Sequence, residues 1–331
     1  MMPMNQMGPI SPISPISPIS LISPISPIIT MTERYYKVAA HVFVLQTDDD
    51  SLITSDELSQ YAPFAIDASD VAAADVVFRL RLTNSLPPMD KPTEELRQDD
   101  EGQQIIAGHT SDGLPFFEFW LGGQRSSAML ASPNYKEAIV VTECHRQFGV
   151  NNAVMVMYAL ATAKLQTALF HSSVVSHGGR AFMFLGKSGT GKSTHSSLWL
   201  KYIDGTRLVN DDNPVVRVLT DSNRQYEARV YGSPWSGKTP CYRNVSYPIG
   251  AIVQLSQAPY NKIRRLRPLE AYASLVPSIS GKRWDRQLAD GLHQTEELLV
   301  GGVPVWHLEC LPDEAAARLC QENVDSISTE I

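Results

Sequence analysis

Gly186-Lys187-Ser188-Gly189-Thr190-Gly191-Lys192-Ser193 leaves the chain around it little choice of architecture. It fits the phosphate-loop pattern G-x-x-x-x-G-K-[ST] at every position. An apolar run at 181–185 feeds it, and a helical run at 192–202 follows, stopped by Asp204-Gly205. Glycines let backbone N–H groups converge on an anion without a Cβ in the way. A helix start adds unpaired N–H groups and the positive end of its dipole. Lys192 is placed for β- and γ-phosphates, and the Ser193 hydroxyl for Mg²⁺. Residues 186–194, through Thr194, are therefore expected to hold ATP or another nucleoside triphosphate with Mg²⁺.

Asp211-Asp212 ends a short strand expected at 208–210. The strand before the loop ends at the phosphates and the helix after it runs away from them. A right-handed crossover must bring the next strand back, so its end returns to the ligand-binding edge of the sheet. Adjacent residues of a strand face opposite ways. One carboxylate can hold Mg²⁺ and the other can take a proton from an attacking hydroxyl. The alternative is a solvated turn before Asn213-Pro214. His171 lies on the strand expected at 168–175, which forms a hairpin with 180–185 around Gly178. That hairpin sets His171 opposite Leu185 or Gly186, where it contacts a phosphate or orients a carboxylate, unless it is a structural histidine. His195, inside the helix, reads as packing or surface.

The segment 232–239 is expected near the same site, with Trp235 stacking on a base or covering the pocket. A plain surface loop is its alternative. Arg264, Arg265, Arg267, Lys282, Arg283 and Arg286 form a basic stretch. It reads first as a solvated face, and second as a contact for an acidic protein substrate or for another copy of the chain.

The chain of 331 residues divides by pattern into three parts. Residues 1–30 repeat Ile-Ser-Pro, which denies a helix and removes ladder donors from a strand. They read as an extended, disordered tail, with Met31 as the expected true start. Residues 31–148 read as a smaller antiparallel β-rich domain, with strands at 38–45, 75–82, 103–109, 114–121, 126–131 and 138–142. No constellation there points to chemistry. Residues 149–331 read as a mixed α/β domain. It opens with a helix at 152–166 and continues through a hairpin at 215–219 and 227–231, turning at 220–224. A strand at 250–255, a helix at 268–275, a strand at 303–308 and a helix at 313–321 complete it.

A formal net charge of −7 gives no electrostatic support to nucleic-acid or anionic-membrane binding. No apolar run reaches the roughly 20 residues of a membrane span. The four cysteines lack C-x-x-C spacing, which suits free thiols in a reducing cytoplasm.

His171-Ser-Ser, the loop from Phe184 to Thr194 and Leu208-Val-Asn-Asp-Asp212 together resemble the HPr kinase/phosphorylase family. Its P-loop core is shared with phosphoenolpyruvate carboxykinases. The resemblance spans roughly residues 165–320. It implies Asp211 as catalytic acid/base, supported by Lys192 and His171, with Ser193 and Asp212 near the metal. The family's Glu-x-Arg-Gly-x-Gly signature has only a loose echo here, Glu227-Ala-Arg-Val-Tyr-Gly232, and the first 148 residues differ from the family's. The resemblance thus implies a P-loop kinase core and an ATP- and Mg²⁺-dependent kinase. Its acceptor would be a hydroxyl of a protein, peptide or small molecule other than HPr. A non-catalytic nucleotide sensor is the rival reading, and a carboxykinase-like enzyme a weaker one.

Overall fold

The computed structural model describes residues 31–72, 75–220, 225–237 and 239–325. The Ile-Ser-Pro repeat at 1–30, most of the turn expected at 220–224 and Lys238 of the 232–239 segment lie outside the described residues. The described residues form one compact unit built on two nine-stranded sheets.

The first sheet contains β1 (Thr32–Val38), β2 (His41–Thr47), β3 (Ala65–Ile66), β4 (Val76–Leu82), β5 (Thr93–Asp100), β6 (Gln103–His109), β7 (Pro115–Leu121), β8 (Gln124–Ala131) and β9 (Glu137–Thr142). Their order is β3-β1-β2-β4-β9-β8-β7-β6-β5. The single strand expected at 38–45 is two strands, because Ala39 and Ala40 both take positive φ and turn the chain. The expected antiparallel sheet is mixed, since β2–β4 and β4–β9 pair in parallel. Alternation reveals which face of a strand is buried but not the direction of its partner. The connection between β2 and β4 is long enough for a crossover.

Helix α1 (Arg146–Thr162) starts earlier than expected and buries Val150, Ala153, Val154, Met157, Tyr158 and Leu160. It contacts β4, β8 and β9 of the first sheet and the first strand of the second, β10 (Thr167–Leu169). One apolar core runs from Phe43, Phe78 and Met129 through Val154 and Tyr158 to Val174, Met183 and Ile252.

The second sheet continues with β11 (Ser172–His177), β12 (Arg180–Leu185), β13 (Arg207–Asp212), β14 (Val215–Thr220), β15 (Tyr226–Tyr231), β16 (Ser246–Gln257), β17 (Lys262–Arg265) and β18 (Val305–Cys310). Its main path is β10-β14-β15-β16-β12-β11-β13, and β18 joins β16 with β17 outside it. Helices cover both faces. Helix α2 (Lys192–Tyr202) and α5 (Glu314–Asp325) pack on one side, where Trp199, Ala317 and Cys320 meet Phe182 and Phe184. On the other side lie α1, α3 (Pro268–Leu275) and α4 (Arg286–Gly302), whose Leu288, Leu292 and Leu299 join the main core. Proline at the first turn and the Arg267/Glu270 capping box start α3, and the Asp285 carboxylate caps α4. Among the described residues, no helix is long and apolar enough to cross a membrane.

Candidate functional site

Strand β12 is fully buried from Ala181 to Leu185 and delivers Gly186 at its end. The following loop turns on Gly189 and Gly191, at φ +77° and +106°, where L side chains are strained. Gly191 is the N-cap of α2, so the helix begins at Lys192. Ser193 and Thr194 stand exposed in its first turn. The open N–H groups of that turn and the loop between Gly186 and Gly191 make a concavity suited to phosphate.

Strand β11 pairs antiparallel with both β12 and β13. Hence β13 runs parallel to β12 with one strand between them, and its carboxyl end returns to the loop as the crossover argument requires. Ser173 pairs with Phe184 on one side and Asp211 on the other. These three residues share the α2 face, where the Ser173 hydroxyl meets that of Ser196 at 2.6 Å. Ser172 pairs with Asp212, which therefore looks to the opposite face. The two acids do face opposite ways.

The opposite face assembles a polar chain. Lys192 Nζ donates to His171 Nε2 at 2.8 Å and to the Gly186 carbonyl at 2.9 Å. An ammonium only donates, so Nε2 accepts and the ring proton sits on Nδ1. That Nδ1 lies 3.1 Å from Asp212 Oδ1, and Asn213 Nδ2 donates to Asp212 Oδ2 at 2.8 Å. His171 thus joins the loop lysine to a carboxylate. Burial pushes the Lys192 pKa down, opposed by the nearby charges of Asp212, Asp100 and Asp211.

Asp211 is buried, and its Oδ1 has no hydrogen-bond partner. A buried, unpaired carboxylate oxygen is costly and calls for a proton, a cation or water. Among the described residues no cluster of three or more His, Cys, Asp or Glu could hold a metal. A Mg²⁺ site here fits only the usual pattern of one or two protein oxygens completed by phosphate and water. Asp211 and the Ser193 hydroxyl, both on the α2 side, suit that pattern better than Asp212, which His171 and Asn213 already engage.

The loop is a wall between two cavities. One, of about 1040 Å³, reaches Gly186, Lys187, Ser188, His171 and Asp212. The other, of about 750 Å³, reaches Gly189, Thr190, Gly191 and Thr194, with Leu198, Leu255, Pro259 and Leu311 around it. Gln257 on β16 fastens the loop between them, its Nε2 donating to the Gly189 carbonyl at 3.1 Å.

Trp235 neither stacks over the site nor covers it. It is fully buried, with its Nε1 donating to Tyr61 Oη at 3.1 Å and its ring 5.1 Å from that of Tyr158. The 232–239 segment does approach the acids: the Gly237 N–H donates to the Asp211 carbonyl at 3.1 Å. His195 is packing. It is buried edge-on to Phe184, accepts from Trp199 Nε1, and has its pKa lowered to about 4 by burial. Four of the six residues of the basic stretch are closely paired within the chain. Arg264 and Arg267 pair with Glu270, Lys282 with Glu95, and Arg283 with the fully buried Glu296. All four cysteines are unpaired thiols.

Several site residues escaped the sequence reading. The first sheet was expected to carry no chemistry, yet Gln98, Asp99 and Asp100 of β5 line the larger cavity. The Asp100 charge is felt at Lys192. Asn213, Gln254 and His307 also line that cavity. Asn213 adjoins the acidic pair and was within reach of sequence reasoning. The others depend on which strands neighbour the loop.

The site thus combines a glycine loop, a helix start, a lysine–histidine–aspartate chain and a buried acid on a mixed α/β frame. A family model described as SynChlorMet cassette protein ScmC matches residues 142–299. Among solved structures, the Hpr(Ser) kinase/phosphatase from Coxiella burnetii is similar over 48% of this chain and 95% of its own. The identity is 11% and the TM-score 0.27. No curated protein matches.

Proposed function

We propose that the chain is an ATP- and Mg²⁺-dependent phosphotransferase acting on a hydroxyl. The observation that carries this reading is the loop's position between two cavities, with Lys192, His171 and Asp212 on the side of the larger one. The smaller, partly apolar cavity suits a nucleotide base. Phosphates then run across the loop toward Lys192, and the acceptor approaches from the larger cavity. Lys192 leaves His171 for the β- and γ-phosphates, whose charge exceeds that of a neutral imidazole. Asp212, freed from the shared chain, accepts the acceptor's proton. The acceptor oxygen bonds to the γ-phosphorus as the bridging P–O bond breaks and ADP leaves. Mg²⁺, held by Asp211, Ser193 and phosphate oxygens, would neutralise charge developing on the transferred group.

This reading exchanges the roles that the resemblance implied for the two acids. The strand register supports the exchange, since it sets Asp211 on the α2 face and Asp212 on the cavity face. In the test, the protein is incubated with ATP labelled in the γ-phosphate, Mg²⁺ and a panel of hydroxyl compounds. Label is expected to move to an acceptor only with Mg²⁺ present. Tight MgATP binding with no transfer and no slow release to water would favour a nucleotide sensor instead.

A further inference from the structure

We infer that the acceptor is a small molecule with an uncharged, apolar body and a hydroxyl at one end, bound in the larger cavity. This rests on the phosphotransferase reading and narrows it. At about 1040 Å³ the cavity is of the size that encloses drug-sized ligands. Its walls are of two kinds. Phe148, Met155 and Val156 of α1 face Ile105, Ala107 and Phe117 of the first sheet. The other wall is polar: His171 and Asp212 stand beside Gly186 at the loop end, and Asp99, Asp100, Arg264, Glu270 and Lys282 also line the cavity.

The helix shows that this apolar wall is open. Ala153, Val154, Met157 and Tyr158 are fully buried, yet Met155 and Val156 between them are only partly so. They remain accessible because the cavity opens on them. Apolar side chains left accessible between buried neighbours cost stability unless something covers them. The charged rim excludes an anionic tail on the ligand. Arg264 is engaged by Glu270 and Lys282 by Glu95, at 3.1 and 2.9 Å. The remaining lining lysine, Lys187, belongs to the phosphate loop. An apolar body therefore lies along α1 and β6, and its hydroxyl meets Asp212, which takes the proton as the new P–O bond forms.

The experiment uses the full chain with MgATP and the primary alcohols from 1-butanol to 1-octanol. Alkyl phosphate is measured by mass spectrometry and alcohol binding by calorimetry. We expect kcat/KM and affinity both to rise about fourfold per methylene, the equivalent of about 0.8 kcal/mol. Val156→Trp, which narrows the cavity along α1, is expected to flatten that gradient. The wild-type series decides the matter even if this variant folds poorly. Affinity independent of chain length overturns the inference. So does a gradient in binding without any alkyl phosphate, or transfer to folded proteins but not to the alcohols. Nucleotide binding, measured in the same samples, separates the two readings. Its loss sinks the phosphotransferase itself, whereas normal MgATP binding with a flat alcohol series sinks only this inference.

Discussion

His171 has to be neutral to serve both neighbours, since one nitrogen accepts from Lys192 while the other donates to Asp212. The contact holds the lysine over the loop. Lys192→Ala is expected to weaken MgATP binding at least about tenfold, or about 1.4 kcal/mol, by calorimetry. The acids separate differently. Asp212→Asn retains the shape and the Asn213 contact but cannot take a proton. It should leave ATP affinity intact and lower turnover about 10²- to 10⁴-fold. Asp211→Asn replaces the buried carboxyl group whose Oδ1 has no partner. It should raise the Mg²⁺ concentration needed for half-maximal turnover, because an oxygen that would hold the metal is lost. A magnesium titration of both variants decides the assignment. Identical Mg²⁺ dependence with loss of turnover in Asp211→Asn alone would restore the roles that the resemblance implied.

At the scale of elements, the loop and α2 were legible because the chemistry is local: the expected helix at 192–202 is the one observed. Other elements were hidden for physical reasons. Strand β5 carries Thr-Glu-Glu-Leu-Arg-Gln-Asp-Asp and is exposed throughout, so no alternation of burial marks it. Its charges suit a sheet edge, where they oppose pairing with another chain. Helix α4 has an amphipathic stripe, but Gly291, Gly301 and Gly302 dilute its propensity. Gly291 is there because a Cβ would strike the Ala163 carbonyl at 2.5 Å, a contact no sequence displays. The loop offers the sharper test. Gly191→Ala must hold φ near +106° or pull the start of α2 out of place. It should cost about 1–3 kcal/mol in urea unfolding and weaken nucleotide binding as well. Unchanged affinity would show that the phosphates do not rest on this turn.

At the scale of the molecule, the sequence pattern divides the chain after residue 148, and such a division implies two unfolding transitions. The packing implies one. Residues of both sheets share a single apolar core with α1 between them, and the Tyr158 hydroxyl donates to the Val38 carbonyl at 3.0 Å. Trp235 is another of these ties, buried on the second sheet's side and bonded to Tyr61 on the first's. A shared core means that neither sheet can lose its packing while the other keeps its own, which is the condition for all-or-none melting. Thermal unfolding followed by far-ultraviolet dichroism and by tryptophan fluorescence should therefore give one coincident transition. Trp235→Ala should lower stability by about 3–5 kcal/mol, while Trp235→Phe, which retains most of the volume and loses the bond to Tyr61, should cost less. The larger cavity is walled by both sheets, so the same tie fixes its width. Trp235→Phe is accordingly expected to raise the acceptor's KM while MgATP affinity stays near that of the wild type. Two separate transitions in the wild-type protein, with Trp235→Ala shifting only one of them, would show that the sheets are independent bodies and that the cavity between them is not held by the core.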